Sequence, residues 1–242
     1  MPKVTFEVCV DTPPSLVNAQ QGGADRVELC SALRLGGLTP TRSLMRFAAA
    51  QTMPAHVMIR PRDGDFCFDA AEVQLMLDDI ALAQDEDMQG VVLGATRQDG
   101  SPDLEVLEKL VSAAKGMDIT LHRAFDVAPD PFAALEAAIA LGFNRVLSSG
   151  QQQTALQGKD LLVKFVAKAG GRIEVMPGSG INGANVHQLT ALMPLTCVHA
   201  SCAEPIPQAP ETVSSLGFCV PEGRRETSLA MVRQMAQALA QL

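Results

Sequence analysis

Tryptophan and tyrosine are absent from this 242-residue chain, and aromatic residues make up only 4% of it. Stacking platforms for exposed bases need such rings, so binding of single-stranded nucleic acid finds no support. Positive charge is also scarce: 19 Lys and Arg against 27 Asp and Glu leave a net charge of -8, the wrong sign for gripping a phosphate backbone. No run of roughly 18 or more apolar residues occurs. The opening MPKVTFEVCVD enters strand-like alternation at once, without a basic and then apolar leader. These absences predict no nucleic-acid partner, no membrane and a cytoplasmic location. The cysteines at 9, 30, 67, 197, 202 and 219 form no C-x-x-C pair and no zinc spacing, so reduced thiols packed as small hydrophobes are the expectation.

What is present is a regular alternation of short β-branched runs with longer Ala/Leu-rich segments, the pattern of repeated βα units and a parallel sheet. Strands are expected at about 4–10, 25–30, 55–60, 90–94, 118–123, 145–149, 172–177 and 196–200. Helices are expected at about 13–21, 40–51, 69–87, 102–115, 131–141, 156–169, 182–193 and 226–241. Thr12, Ser101 and Asp130, each followed by proline, read as helix N-caps, and Gly22, Gly90, Gly116 and Gly142 as left-handed helix stops. Eight units in this length predict an α/β fold, a single (β/α)8 TIM barrel spanning residues 1–242. The first strand is followed by Val-Asp-Thr-Pro-Pro where a Gly-rich dinucleotide turn would stand, so no organic cofactor is evident. Residues 201–225, with Pro205, Pro207, Pro210 and Pro221, break the rhythm and read as a long loop covering the barrel mouth or mediating an interface.

Several expected strands end in charged or hydrogen-bonding residues: Glu7, Glu28, Arg60, His122, Ser149, Glu174 and His199. Side chains alternate along a strand, which sends Glu7 and Cys9, Arg26, Glu28 and Cys30, Arg60, His122, Ser149 and His199 to one face. That face should be the barrel interior near the C-terminal strand ends, where enzymes of this architecture place their active sites. The competing reading is a layer of buried pairs, such as Glu7 with Arg60 or Glu28 with Arg26. Buried pairs stabilise poorly compared with apolar packing, so the set as a whole favours a site.

The loops add to it. PRDGDFCF places Arg62 and Asp65 beside Arg60, and HRAFD places Arg123 and Asp126 beside His122. A carboxylate near an imidazole can tune it for proton transfer, although Arg123 and Asp126 could equally form a loop salt bridge. Candidate proton-transfer residues are therefore Glu7, Glu28, His122, Asp126 and His199. Candidate holders of a small anion are Arg60, Arg62, Asp65, Arg123, Ser149, Gly150, Gly178 and Gly180, the glycines through backbone N–H groups in SSGQ and PGSGIN, with a glycine turn needed only for tight packing as the competing explanation.

RVELC, GGLTP, IRPRDGDFCF, HRAFD, RVLSSGQ, PGSGIN and VHAS, in one order between about residues 4 and 202, together resemble the CutC family, named for copper homeostasis. The resemblance implies a cytoplasmic TIM barrel that self-associates as a homo-oligomer and is linked to copper tolerance or copper binding. It also implies a Cu(I) site on Cys9 and Cys30. Both face inward by alternation, from strands that would lie ~4.8 Å apart if adjacent, within reach for two soft thiolates. Two buried cysteines without metal are the alternative. Asp63 stands where the family usually has glycine, and the stretch from Cys202 to Phe218 is poorly matched.

Overall fold

A computed structural model describes residues 3–207, 209–218 and 223–242; Cys219 and Pro221 lie outside them. Eight parallel strands form one sheet: β1 (Thr5–Val10), β2 (Arg26–Leu29), β3 (Ala55–Met58), β4 (Gly90–Leu93), β5 (Asp118–Leu121), β6 (Arg145–Ser148), β7 (Glu174–Pro177) and β8 (Cys197–Ala200). Their order is β7-β6-β5-β4-β3-β2-β1-β8, so the first strand pairs with both the second and the eighth, and β7 and β8 meet at the remaining seam. This is a (β/α)8 TIM barrel, as the alternation predicts.

Between the strands lie α1 (Pro13–Gly22), α2 (Arg42–Ala49), α3 (Ala70–Asp85), α4 (Leu104–Ala113), α5 (Pro131–Leu141), α6 (Lys159–Ala169) and α7 (Val186–Thr190). Thr12 and Asp130 cap α1 and α5 as expected, but α4 is capped by Asp103, whose side chain accepts from Val106 N–H, and not by Ser101. The seventh helix is shorter than the expected 182–193. Asn182 and Asn185 bond to nearby backbone N–H groups and hold residues 182–185 in a turn, the usual way such side chains compete with a helix.

Gly142 stops α5 at positive φ and Gly23 takes that role for α1 where Gly22 was expected, whereas α4 ends with Ala114 as its C-cap, ahead of Gly116, which takes positive φ in the turn that follows. Gly90 has a different function. It opens β4 facing the barrel axis, and a Cβ there would lie 2.7 Å from both the Asp118 carbonyl oxygen and the His56 ring.

Alternation divides the molecule into two interiors. Phe6, Val8 and Val10 of β1, with Val27, Leu29, Val57 and their counterparts, join the helices in one large apolar cluster. Among the described residues, buried apolar side chains inside the barrel gather in two small groups, Cys30–Met58–Val92 and Leu147–Met176–Cys197. The remaining space holds buried polar side chains. At the N-terminal end Arg145 pairs with Asp118 and Glu174, so Glu174 closes the barrel floor and is distant from the mouth.

The described residues of 201–225 include regular elements. They contain β9 (Ala203–Pro205), which pairs antiparallel with β10 (Arg225–Thr227), and a short helix α8 (Glu211–Ser215). The ribbon is tied to the barrel where Asn18 donates to the Thr227 carbonyl at 2.8 Å, and the chain ends in α9 (Leu229–Ala240) against α1. Among the described residues no helix is long and apolar enough to cross a membrane.

Candidate functional site

A cavity of about 430 Å³ opens at the C-terminal ends of the strands. One wall is apolar, from Leu33, Leu35, Met58, Phe66 and Leu147; the other carries Cys9, Glu28, Arg60, His122, Arg123 and His199, with Ser179, Gly180 and Ser201 at the rim. Strand register explains the polar wall. Glu7 is level with Arg26 on β2 and with His199 on β8, and Cys9 is level with Glu28.

Beneath the wall, Glu7 is fully buried and accepts from Arg26 Nε at 2.6 Å, while its other oxygen lies 2.8 Å from His199 Nδ1. The pairing is therefore Glu7 with Arg26, neither of the two combinations considered from the sequence. Burial alone would raise the Glu7 pKa, but the His199 hydrogen bond and the Arg26 charge outweigh it and hold the carboxylate well below its ordinary range. Burial would depress His199, yet Glu28, Cys9 and Glu7 raise it well above its ordinary value.

Glu28 is the opposite case. Burial raises its pKa, and the neighbouring Glu7 charge adds to this. One of its oxygens lies 3.5 Å from the Cys30 thiol and 3.9 Å from His199 Nε2; the other is buried with no hydrogen-bond partner. His122 is also incompletely satisfied. Its Nδ1 accepts from the Ala124 N–H at 3.1 Å, which fixes the neutral tautomer with the proton on Nε2, and Nε2 has no partner. Burial, with Arg60 nearby, lowers the His122 pKa to about 3. The ring lies 4.9 Å from Phe66, and Gly94 makes room for it.

The other expected anion holders are largely committed within the protein. Arg60 donates to the carbonyls of Leu35 (2.8 Å), Gly37 (3.2 Å) and Gly64 (2.9 Å), lies over Phe66, and keeps only Nε without a partner. Arg62 is outside the cavity wall, paired with Glu72 at 2.5 Å and with Asp65 at 2.9 Å. Asp126 does not orient His122. It pairs with Arg123 at 2.9 Å and accepts from Ser148 Oγ and from the Ser149 and Gln151 N–H groups, so the loop salt bridge is what forms. Ser149 is buried in that network, bonded to Arg123 at 2.6 Å.

Gly150 N–H donates to Ser148 Oγ and Gly178 N–H to the Ser148 carbonyl, which leaves neither amide for a ligand. Their role is close approach: a Cβ on Gly150 would lie 2.2 Å from the Gly158 carbonyl oxygen, and one on Gly178 would lie 2.6 Å from Leu147. Of the two expected metal thiols, Cys9 lines the cavity. Cys30 does not; it packs against Gly37 and Met58, and burial raises its thiol pKa well above the ordinary value. The five described cysteines are all free.

The structure thus gathers Cys9, Glu28, Arg60, His122, Arg123, Gly180 and His199 at one cavity, supported from below by Glu7. Phe66, Ser179 and Ser201 were not anticipated. Alternation onward from His199 points to Ser201, and Phe66 sits in the charged PRDGDFCF loop, where no periodicity marks its ring as inward.

The CutC family model matches residues 4–204. A CutC family protein from Sinorhizobium medicae is 47% identical over 239 residues, covering 99% of this chain and 97% of that protein. The crystal structure of CutC from Streptococcus agalactiae, named as a candidate copper homeostasis protein, superposes with a TM-score of 0.78 at 29% identity, covering 82% of this chain and 98% of that one. A monomeric form of the dimeric phosphoribosylanthranilate isomerase from Thermotoga maritima superposes with a TM-score of 0.61 at 13% identity over 99% of this chain and 100% of that one, a likeness of fold alone. With the family model spanning most of the chain and a near full-length relative at this identity, the chain belongs to the CutC family.

Proposed function

We propose that the protein is an enzyme acting on a small anionic or phosphorylated metabolite by acid/base chemistry in the barrel mouth. One observation carries the reading: Glu28 and His122, walls of the same cavity, each bury a polar atom that nothing in the protein satisfies. Leaving such a group unmatched costs ~1–3 kcal/mol, which a polar ligand would remove. The cavity volume of about 430 Å³ suits a small metabolite.

The roles follow from environment. Glu28, whose pKa burial raises, is the carboxyl in the cavity wall placed to exchange a proton with a ligand. His122, neutral, offers Nε2–H to a substrate oxygen without changing charge. His199, held through Nδ1 by Glu7, is a second proton carrier. Arg123, with 41% of its side chain exposed, and Arg60 supply positive charge at the rim. Thermal-shift titration with phosphate, sulfate, small carboxylates and sugar phosphates should find at least one stabilising ligand, and Glu28→Gln should weaken its binding. No shift at millimolar concentration with any of them contradicts the reading.

A second reading, Cu(I) binding in copper homeostasis, is favoured by the description of the S. agalactiae relative and by Cys9, a soft ligand in the cavity wall. The supposed partner thiol, Cys30, is a poor fit, since it packs behind the wall. Anaerobic Cu(I) titration tests this reading; a tight site lost in the Cys9→Ser, Cys30→Ser double variant supports it, and unchanged affinity removes both residues. A cytoplasmic location accords with the free thiols. Self-association into a homo-oligomer accords with Leu216 and Phe218, 72% and 78% exposed on the excursion after β8. Light scattering on the purified chain reads the oligomer directly.

A further inference from the structure

We infer that Cys9, Glu28 and His199 form a three-residue site for a borderline divalent cation of the zinc class, with its open coordination position facing the cavity. One ligand atom from each of the three lies within 4.8 Å of the others, and all three residues are buried. They come from three adjacent strands, β1, β2 and β8, with Cys9 level with Glu28 and His199 one rung below beside Glu7. Ligands projected from sheet positions hold their geometry better than ligands on loops.

Three further observations point to a cation there. First, Glu28 is 4% exposed, and one of its carboxyl oxygens has no hydrogen-bond partner although the residue lines the cavity. Second, His199 Nδ1 is engaged by the Glu7 carboxylate at 2.8 Å, leaving Nε2 as the nitrogen that faces Glu28. A carboxylate behind the ring is the usual outer support of a metal-bound imidazole, fixing its tautomer and making it a better donor. Third, Glu7 is itself held by Arg26 at 2.6 Å, so its charge is matched, whereas Glu28 meets only the His199 ring, at 3.9 Å from Nε2, and no guanidinium or ammonium bonds to it among the described residues.

The donor set selects the metal. One thiolate, one imidazole and one carboxylate make a mixed sulfur, nitrogen and oxygen environment that suits Zn²⁺ or Co²⁺; Cu(I) prefers soft sulfur ligands, and the second thiol is not in the set. Three protein ligands with a fourth position open to a cavity is the arrangement of catalytic rather than structural zinc. The inference rests on and deepens the enzyme reading. With the cation bound, Glu28 and His199 are ligands, proton transfer falls to metal-bound water and His122, and the favoured substrates are small oxyanions or hydroxy- and keto-carboxylates that can bind the metal through oxygen.

The test is titration of metal-stripped, reduced full-length protein with Co²⁺ and with Zn²⁺. About one equivalent should bind, and Co²⁺ should give visible ligand-field bands and a near-ultraviolet thiolate-to-cobalt charge-transfer band. Cys9→Ser should remove the charge-transfer band, Cys30→Ser should keep it, and Glu7→Gln, a positioning change, should weaken the affinity by roughly 10- to 100-fold. X-ray absorption of the zinc-loaded wild-type protein gives a check independent of any variant: one sulfur at ~2.3 Å with nitrogen and oxygen at ~2.0–2.2 Å. Failure to take up either ion at micromolar concentration, a zinc shell without sulfur, or loss of the band in Cys30→Ser overturns the inference. If small anions still stabilise the protein when neither metal binds, only the metal site fails; if metal binds and no small ligand does, the enzyme reading fails.

Discussion

His199 Nδ1 and Glu7 Oε1 lie 2.8 Å apart across the pairing of β8 with β1, joining the last barrel strand to the first through a buried ion-pair contact. Because Glu7 also neutralises Arg26, replacing it leaves a buried guanidinium without a counter-charge. Breaking such a pair from one side costs ~3–5 kcal/mol. Glu7→Gln should therefore lower the urea midpoint strongly with an unchanged slope, and a midpoint within error of wild type would show that the contact contributes little.

His56 and His122 are buried in their neutral forms, with pKa values lowered by burial to about 4 and about 3. In the unfolded chain an imidazole titrates near ~6.5, so between these limits the unfolded state binds more protons than the folded one. Stability from this source is complete above about pH 6.5 and is lost as the pH falls toward the folded values. His122→Gln should flatten that dependence in chemical denaturation, and the His122 ring of the wild-type protein should remain neutral, with its proton on Nε2, by NMR at about pH 5. A His122 that titrates near its ordinary value contradicts the burial argument.

Gly94 stands where a Cβ would lie 2.5 Å from His122 Cε1 and 2.6 Å from Nδ1. Its φ is not in the left-handed region, so the requirement is space alone. Gly94→Ala should cost ~1–3 kcal/mol by overpacking and should break the Ala124 N–H to Nδ1 bond. NMR of the ring nitrogens reads the second effect separately from the first; an undisturbed ring would refute it.

Arg60 fastens the loops after β2 and β3 together through the carbonyls of Leu35, Gly37 and Gly64. Lysine cannot reach three acceptors with one ammonium in this forked arrangement. Arg60→Lys should raise amide exchange across residues 33–37 and 61–66, and Arg60→Ala should weaken binding of any small anion by roughly ten- to a hundredfold, the loss of one charge-assisted contact. Unchanged exchange would show that the loops hold without it.

The barrel was legible because alternation has a period of two and separates the two faces of every strand; the inward set from Glu7 to His199 followed from that alone. Partners were less legible, because register and not sequence spacing decides which inward residues are level. Glu7 meets Arg26 and His199, from positions 19 and 192 residues away. The glycine turns were open to two readings, amide donors or tight packing, and tight packing is what forms. Gly150 and Gly178 resemble exposed amide donors in sequence, but both are places where backbone or side chains pass too closely for a Cβ. The Arg123–Asp126 salt bridge was one of the two readings HRAFD allowed, while the loop folding that turns Arg62 onto Glu72 and Asp65 depends on backbone geometry no short motif reveals.

The most direct test of the account is the His122 Nε2–H resonance during titration with small carboxylates and phosphates. A ligand that stabilises the protein should shift or newly protect that proton, and should do so less in Glu28→Gln, because the two buried polar groups in one cavity wall are completed by the same molecule. A stabilising ligand that leaves the His122 resonance unmoved, or the absence of any such ligand, would contradict the assignment of the barrel mouth as a substrate site.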